Sequence, residues 1–316
     1  MSDQPFIVQA APIGAWTDAT LQERYDVLQL WKEADPLACL EQRAAQATVL
    51  VTSVRRGCSA AMIERMPALR LIASWGVGYD TLDVAAATAR GIQVTNTPDV
   101  LDDCVADMAW ALLLSTARRI AEGDRYVKGG QWKTIGAFPL ATKVSGKRLG
   151  ILGLGRIGEA IARRGAGFDM EVRYHNRRAR NDVSYGFEAT LNGLAAWADF
   201  LVVACVGGAA TRHLVSADVI DALGPKGILI NIARGSVIDQ AALVSALVEG
   251  RLGGAGLDVL ENEPAVPSEF LNMDKVTLMP HTASATHETR RAMEELVVAN
   301  VEAFLQGRPL LTPISQ

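Results

Sequence analysis

Three glycines, Gly153, Gly155 and Gly158, follow the apolar run Arg148–Leu152 and stand at the mouth of a helical pattern. In such a strand-to-helix turn, the first glycine permits a tight turn and the second lets a pyrophosphate approach the backbone. The third lets helix and strand pack closely, and the helix N-terminal amides face the anion. The spacing predicts a dinucleotide-binding turn; a glycine-rich turn that binds nothing is the alternative. The residues predicted to contact the cofactor here are Gly153, Leu154, Gly155, Arg156, Ile157 and Gly158.

Short apolar runs alternate with amphipathic helical patterns along most of the chain, which predicts an α/β fold with doubly wound parallel sheets. The candidate strands are Phe6–Gln9, Thr48–Val51, Leu71–Ala73, Gln93–Thr95, Arg148–Leu152, Glu171–His175, Phe200–Ala204, Gly227–Ile232, Gly254–Leu257 and Val276–Leu278. The candidate helices are Ser59–Arg65, Asp102–Arg119, Gly158–Gly167, Ala217–Ala222, Gln240–Glu249 and His287–Gln306. The segment Gly123–Ser145 lacks clear periodicity and is predicted to be irregular.

The length of 316 residues exceeds what one hydrophobic core usually serves, so two domains are expected. A net charge of −4 does not favour nucleic acid as a partner. No apolar run approaches the roughly 20 residues that cross a bilayer, and the start of the chain does not read as a signal peptide. The 4 cysteines lie far apart without CxxC or zinc spacing, which predicts free thiols, a cytoplasmic location and no metal site.

The candidate strand Glu171–His175 would be the second strand of the dinucleotide-binding unit. The residues at its end, Tyr174–Arg180, indicate which dinucleotide is bound. An NAD-preferring site carries a carboxylate about 20 residues after the glycines, where it binds the ribose 2′-hydroxyl. This run contains no carboxylate; it holds three arginines and Asn176 instead. Guanidinium groups grip a 2′-phosphate well, so NADPH is predicted, with Asn176, Arg177 and Arg178 as ligands. A solvated basic loop is the alternative.

The chain resembles the D-isomer-specific 2-hydroxyacid dehydrogenase family over nearly its whole length, and four stretches carry the resemblance. They are Gly76–Asp80, Gly146–Gly158, Asn231–Gly235, and Gly256–Val259 with Glu263-Pro264 leading to Pro280-His281. Within the family, Asp218–Glu263 and the basic loop Asn176–Arg180 are most similar to the NADPH-dependent glyoxylate/hydroxypyruvate and hydroxyphenylpyruvate reductase branch. The resemblance implies hydride transfer from NADPH to small 2-oxo acids, giving D-2-hydroxy acids.

The resemblance also implies the domain organisation: two Rossmann-like doubly wound parallel-sheet domains with the active site in the cleft between them. Residues 1–98 and 287–316 would form a substrate-binding, flavodoxin-like domain. Residues 99–286 would form the dinucleotide-binding Rossmann domain. The return of the C-terminal helix to the first domain follows from the resemblance and not from periodicity.

Reduction of a 2-oxo acid needs a cation for the substrate carboxylate, a hydride donor, and an acid that protonates the developing alkoxide. Arg234 follows the strand Gly227–Ile232 and so stands at a carboxyl end, where open α/β sheets bind ligands. Its guanidinium can pair with the carboxylate and polarise the carbonyl. An interdomain salt bridge is the alternative role for Arg234.

Histidine is the expected acid because it titrates near neutral pH. Of 4 histidines, His281 follows the strand Val276–Leu278 and belongs to the family's Pro-His motif. His175 ends the strand Glu171–His175 and is assigned to the adenosine end of the dinucleotide site, whereas surface or capping roles are expected for His213 and His287. A carboxylate should hold the histidine in its protonated form. Glu263, stiffened by Pro264, is preferred for this role, and Glu261 is the alternative.

The remaining site residues are assigned by resemblance alone. The backbone amides of Val77 and Gly78 would bind the substrate carboxylate. Asp258 would hold the nicotinamide carboxamide, and the other contacts to the cofactor would come from Cys205, Val206, Thr211, Ile232, Ala233 and His281. The loop Val206–Gly208 departs from the family's proline-containing loop, which puts its contacts in question. Trp75 is bulkier than expected beside the carboxylate loop, so we expect it to narrow or reshape the pocket.

The segment Gly123–Ser145 resembles the family's dimerisation arm, with Trp132 as a candidate element of the partner's active site. A homodimer formed through residues 102–145 is therefore expected.

Two other functions use the same fold: a dinucleotide-sensing corepressor, and a formate or phosphonate dehydrogenase. The complete set of Arg234, Glu263 and His281 favours the 2-hydroxyacid dehydrogenase over both.

Overall fold

The computed structural model describes residues 5–314, apart from the side chains of residues 37 and 41. Residues 1–4 and 315–316, which the predicted first domain includes, lie outside the described residues. The strands are β1 (Phe6–Gln9), β2 (Asp26–Gln29), β3 (Val49–Ser53), β4 (Leu71–Trp75), β5 (Gln93–Thr95), β6 (Arg148–Leu152), β7 (Glu171–His175), β8 (Gly186–Phe187), β9 (Phe200–Val203), β10 (Ile228–Asn231), β11 (Gly254–Leu257) and β12 (Val276–Leu278). The helices are α1 (Ala15–Arg24), α2 (Pro36–Arg43), α3 (Ala60–Glu64), α4 (Val84–Ala89), α5 (Asp102–Arg118), α6 (Ile120–Lys128), α7 (Arg156–Gly165), α8 (Leu191–Trp197), α9 (Ala217–Leu223), α10 (Gln240–Val248) and α11 (His287–Leu305).

The chain forms two compact units, of which the first contains the residues up to Leu101 and those from Ala285 onward. Its five strands pair in parallel in the order β2-β1-β3-β4-β5, the flavodoxin-like order. Alternate side chains of β3 serve opposite faces of the sheet. Val49 and Val51 pack with Val297 of α11, whereas Leu50 packs with Met66 on the other face. Burial on both faces explains why β3 begins with three consecutive apolar residues, Val49–Val51.

The second unit, Asp102–Ser284, contains a seven-stranded parallel sheet in the order β12-β11-β10-β9-β6-β7-β8. Counted from β6, this extends the Rossmann order 3-2-1-4-5-6 by one strand. The strand order reverses between β6 and β9, and ligands bind at such switch points outside the carboxyl ends of the strands. The carboxyl ends of β6, β9, β10, β11 and β12 lead to Gly153, Cys205, Arg234, Asp258 and His281 respectively. The topology therefore collects these predicted site residues at one edge of one sheet.

The prediction of an α/β fold with two doubly wound parallel sheets is confirmed. The prediction that Gly123–Ser145 is irregular is wrong at its start, because α6 extends to Lys128. No side chain of α6 is buried, so the helix lacks the buried stripe that makes a helical pattern easy to recognise. Residues 129–145 contain neither helix nor strand. Within residues 5–314, no helix is both long and apolar enough to cross a membrane.

Candidate active site

The glycine turn, Gly153–Gly158, follows β6 directly. Its three glycines differ in how closely other atoms approach them. Gly153 has a φ of 96°, and a Cβ built there would lie 2.5 Å from the backbone nitrogen of Cys205. A Cβ on Gly158 would overlap the carbonyl oxygen of Gly153, whereas one on Gly155 would meet no atom within 4 Å. The fold itself therefore requires Gly153 and Gly158, and the side of Gly155 is open to a ligand. Burial raises the pKa of the neighbouring Cys205 thiol to about 11, so this thiol is neutral at neutral pH.

The polar side chains after β7 brace this turn. Asn176 Oδ1 accepts a hydrogen bond of 2.7 Å from the backbone N–H of Leu154. His175 Nδ1 lies 2.8 Å from the carbonyl oxygen of Glu188, which fits its predicted place away from the reacting centre. Arg177 and Arg178 are both exposed, and neither forms a hydrogen bond or ion pair with another residue of the range 5–314. Two guanidinium groups are thus left for an anion beside the turn.

A histidine–carboxylate couple follows β11 and β12. His281 Nδ1 lies 2.7 Å from Glu263 Oε2, and Glu263 Oε1 accepts a 3.1 Å hydrogen bond from the N–H of Leu260. Both side chains are partly buried. The carboxylate holds one ring nitrogen of His281, which fixes the orientation of the ring. The couple is the arrangement expected of a general acid and its orienting partner.

The alternative carboxylate, Glu261, has other partners. Its Oε1 lies 2.8 Å from His213 Nε2 and accepts a 2.9 Å hydrogen bond from Arg212 Nη2. This geometry favours Glu263 as the partner of His281. It also shows that His213, expected at the surface, is a hydrogen-bond partner of Glu261. His287 is exposed at the start of α11, after the capping residue Thr286.

Asp258 fixes the backbone of the turn that carries His281. Its carboxylate is buried and accepts hydrogen bonds of 2.8 Å and 3.0 Å from the N–H groups of Thr282 and Ala283. The N–H of His281 donates to the carbonyl of Asp258 at 2.8 Å. His281 itself has a φ of 55°, in a region that most non-glycine residues avoid. These bonds hold an otherwise unfavourable backbone conformation, and sequence patterns gave no sign of them.

Arg234 follows β10 in a turn that Asn231 stabilises. The buried side chain of Asn231 donates to the carbonyl of Arg234 at 3.0 Å and accepts from the N–H of Ala233 at 3.0 Å. The Arg234 side chain is half-buried, and its Nη1 donates to the carbonyl of Ala233. The side chain of Asn231 therefore bonds the backbone on both sides of this turn, in addition to the bond from the guanidinium.

The turn that contains Val77 and Gly78 belongs to the first unit. Thr97 Oγ1 accepts a 3.1 Å hydrogen bond from the N–H of Gly76, and Asn96 Nδ2 donates to the carbonyl of Val77 at 2.8 Å. Asn96 and Thr97 are both buried, and no sequence motif indicated their role in this turn. The guanidinium of Arg290 lies 4.5 Å from the ring centre of Trp75, which is a cation–π contact beside this turn.

The sheet order, the glycine turn and the set of His281, Glu263 and Arg234 define a class: oxidoreductases with a Rossmann-type dinucleotide-binding unit. Residues 110–283 match the family model of the D-isomer specific 2-hydroxyacid dehydrogenase NAD-binding domain. The chain belongs to the D-isomer-specific 2-hydroxyacid dehydrogenase family.

Three relatives illustrate the similarity. Hydroxyphenylpyruvate reductase of Plectranthus scutellarioides is 45% identical over 308 residues, 98% of each chain. A glyoxylate/hydroxypyruvate reductase A of Arabidopsis thaliana is 45% identical over 308 residues, again 98% of each chain. The solved structure of an NADPH-dependent glyoxylate/hydroxypyruvate reductase from Sinorhizobium meliloti, in complex with NADP and malonate, superposes with a TM-score of 0.93. It is 42% identical and covers 99% of this chain and 97% of its own.

Proposed function

We propose that this protein reduces small 2-oxo acids to D-2-hydroxy acids with NADPH, and that glyoxylate and hydroxypyruvate are its leading substrates. The 2.7 Å contact between His281 and Glu263 carries the proposal, because it supplies the proton donor that reduction requires. The printed names of the relatives support the substrate class. The test follows NADPH absorbance with a panel of 2-oxo acids, with NADH in parallel. Lack of turnover across the panel would refute the proposal.

Each side chain has a defined part in the proposed reaction. Arg234 pairs with the substrate carboxylate and polarises the keto oxygen. Bound NADPH supplies the hydride that adds to the keto carbon. His281 gives its proton to the oxygen as that bond forms, so the product is a neutral alcohol and the histidine becomes neutral. Glu263 holds the ring of His281 in one orientation through its contact with Nδ1. We assign substrate binding to the first unit and dinucleotide binding to the second.

NADPH is preferred over NADH in this proposal because Arg177 and Arg178 are exposed beside the glycine turn. We expect the double variant Arg177→Ala/Arg178→Ala to lose about 100-fold or more in kcat/KM with NADPH, since each of the two lost charge-assisted hydrogen bonds contributes at least about 1.5 kcal/mol. Efficiency with NADH, which has no 2′-phosphate, should stay within about threefold and serves as the internal control. Equal losses with both coenzymes would remove these arginines from phosphate recognition.

The carboxylate of Glu263 should raise the efficiency of reduction, because its contact with Nδ1 holds the ring of His281 in one orientation. The variant Glu263→Gln is expected to lower kcat/KM for 2-oxo acids, because an amide holds the ring less firmly than a carboxylate does. The matched control is Glu261→Gln, which breaks the pair with Arg212 and His213 instead and should lower kcat/KM less. Steady-state kinetics of both variants provide the measurement. An unchanged kcat/KM in Glu263→Gln would exclude the carboxylate from this role.

We also propose a homodimer formed through residues 102–145. Large apolar side chains are concentrated at the surface between residues 120 and 140: Ile120, Val127, Trp132, Ile135 and Leu140 are 51–97% exposed. Exposed apolar clusters of this kind mark protein interfaces. Sedimentation equilibrium should give about twice the 33.8 kDa chain mass, and Leu140→Asp should weaken the association. A single species at the chain mass would contradict the dimer. The cytoplasmic location stays a prediction.

A further inference from the structure

Arg180 differs from the two arginines that precede it in the basic loop. Its Nη1 donates to Glu159 Oε2 at 2.8 Å and to the carbonyl of Leu154 at 3.2 Å. Its Nε donates to Asp182 Oδ1 at 2.9 Å. The side chain is three-quarters covered, whereas Arg177 and Arg178 are exposed. Arg180 is not among the predicted phosphate ligands, and in the structure its guanidinium has an intramolecular role.

The backbone of Arg180 is fixed as firmly as its side chain. The hydroxyl of the buried Tyr174 accepts a 2.8 Å hydrogen bond from the N–H of Arg180. Tyr174 lies in β7, so a side chain of this strand holds the backbone of Arg180 in place. The pKa of Asp182 is lowered, chiefly by its hydrogen bond to Arg180, which keeps the pair ionised.

The contact with Glu159 has an electrostatic consequence for the glycine turn. Glu159 lies in the first turn of α7, whose N-terminal amides would face a pyrophosphate. An uncompensated carboxylate there would repel the anion. Arg180 neutralises Glu159 and, through the Leu154 carbonyl, ties the basic loop to the glycine turn. Since one guanidinium faces two carboxylates, this cluster has a net negative charge and does not by itself attract a 2′-phosphate.

We propose that Arg180 is a positioning residue that shapes and charge-balances the pyrophosphate turn, and that Arg177 and Arg178 alone read the 2′-phosphate. The inference rests on the proposed use of dinucleotide, but it predicts a different dependence on the coenzyme. A 2′-phosphate ligand matters for NADPH only. A residue that organises the pyrophosphate turn matters equally for NADPH and NADH, since both contain the pyrophosphate.

The test compares Arg180→Met with Arg178→Met in the full-length protein, using kcat/KM for both coenzymes. Arg180→Met should raise KM for NADPH and NADH by similar factors, on the order of tenfold, and leave their ratio within about threefold of the starting protein. Arg178→Met should lower the ratio by about tenfold. Calorimetric titration with ADP and with 2′,5′-ADP gives a second readout, in which Arg180→Met should weaken both ligands.

Two further variants separate positioning from simple loss of charge or of folding. Arg180→Lys should restore binding only in part, because an ammonium group supplies the charge but cannot reproduce the planar fork that joins Glu159, Asp182 and the Leu154 carbonyl. Adding Glu159→Gln to Arg180→Met should recover part of the lost affinity for ADP, because it removes the unneutralised carboxylate. A merely structural role for Arg180 would give no such recovery.

The outcomes are distinct from those that test the proposed function. A preference of the unaltered protein for NADH would refute the coenzyme assignment. The Arg180 inference would still hold in that case, provided that Arg180→Met weakens the binding of both coenzymes by similar factors. The inference is overturned if Arg180→Met reduces efficiency with NADPH alone, which would make Arg180 a phosphate ligand. It is also overturned if neither coenzyme is affected.

Discussion

Replacement of His281 by asparagine is expected to lower kcat for 2-oxo acid reduction by about 10²- to 10⁴-fold, the usual contribution of a positioned general acid. Asparagine is the informative choice because residue 281 has a φ of 55°. Asparagine tolerates this left-handed region better than most residues, so the turn held by Asp258 should persist. The side chain loses the acid without straining the backbone.

His213 supplies a matched control for this variant. It also has a positive φ, of 50°, and its ring nitrogen lies 2.8 Å from a glutamate, Glu261. His213→Asn therefore removes a histidine–glutamate pair from a similar backbone conformation but away from the proposed proton transfer. Pre-steady-state measurement of NADPH oxidation separates chemistry from coenzyme binding. If His281→Asn kept more than about a tenth of the hydride-transfer rate, His281 would not be the acid.

Much of the second unit could be predicted from the sequence because its signals are local. Most strands from β6 onward are short apolar runs, β7 alternates polar and apolar side chains, and the glycines mark the turn by their spacing alone. The two strands that were missed lack such a signal: β2 begins with an exposed aspartate, and β8 consists of two exposed residues at a sheet edge. Their place in the sheets depends on pairing with distant partners, which periodicity does not report.

The candidate site shows the same division between local and distant effects. Arg234 and His281 could be chosen because both follow strands, and carboxyl ends of parallel strands meet at one edge. The bonds that orient them could not be predicted. Asp258 acts on residues 24 and 25 positions away, and Arg180 reaches Glu159 across 21 positions. Which carboxylate pairs with which cation is decided by packing, as the different partners of Glu261 and Glu263 demonstrate.

Loss of the Arg234 guanidinium should be the second large effect. Arg234→Gln is expected to lower kcat/KM for 2-oxo acids by about 10²- to 10⁴-fold, since two charge-assisted hydrogen bonds to a carboxylate contribute about 3–6 kcal/mol together. The fold should tolerate the change, because Asn231 bonds the backbone of residue 234 and not its side chain. Thermal unfolding should therefore shift little, and coenzyme affinity should be retained.

Arg234→Lys distinguishes charge from geometry. If Arg234 binds the substrate carboxylate through its planar fork, lysine restores the charge but not the paired hydrogen bonds, and efficiency should lie between those of glutamine and arginine. Arg212→Gln, which removes a guanidinium bonded to Glu261, controls for a general loss of positive charge near this edge. Added guanidinium ion should partly rescue Arg234→Gln and leave Arg212→Gln unchanged. A value of kcat/KM within about tenfold of the starting protein in Arg234→Gln would mean that another cation binds the carboxylate, because a loss of under 1.4 kcal/mol is too small for two such bonds.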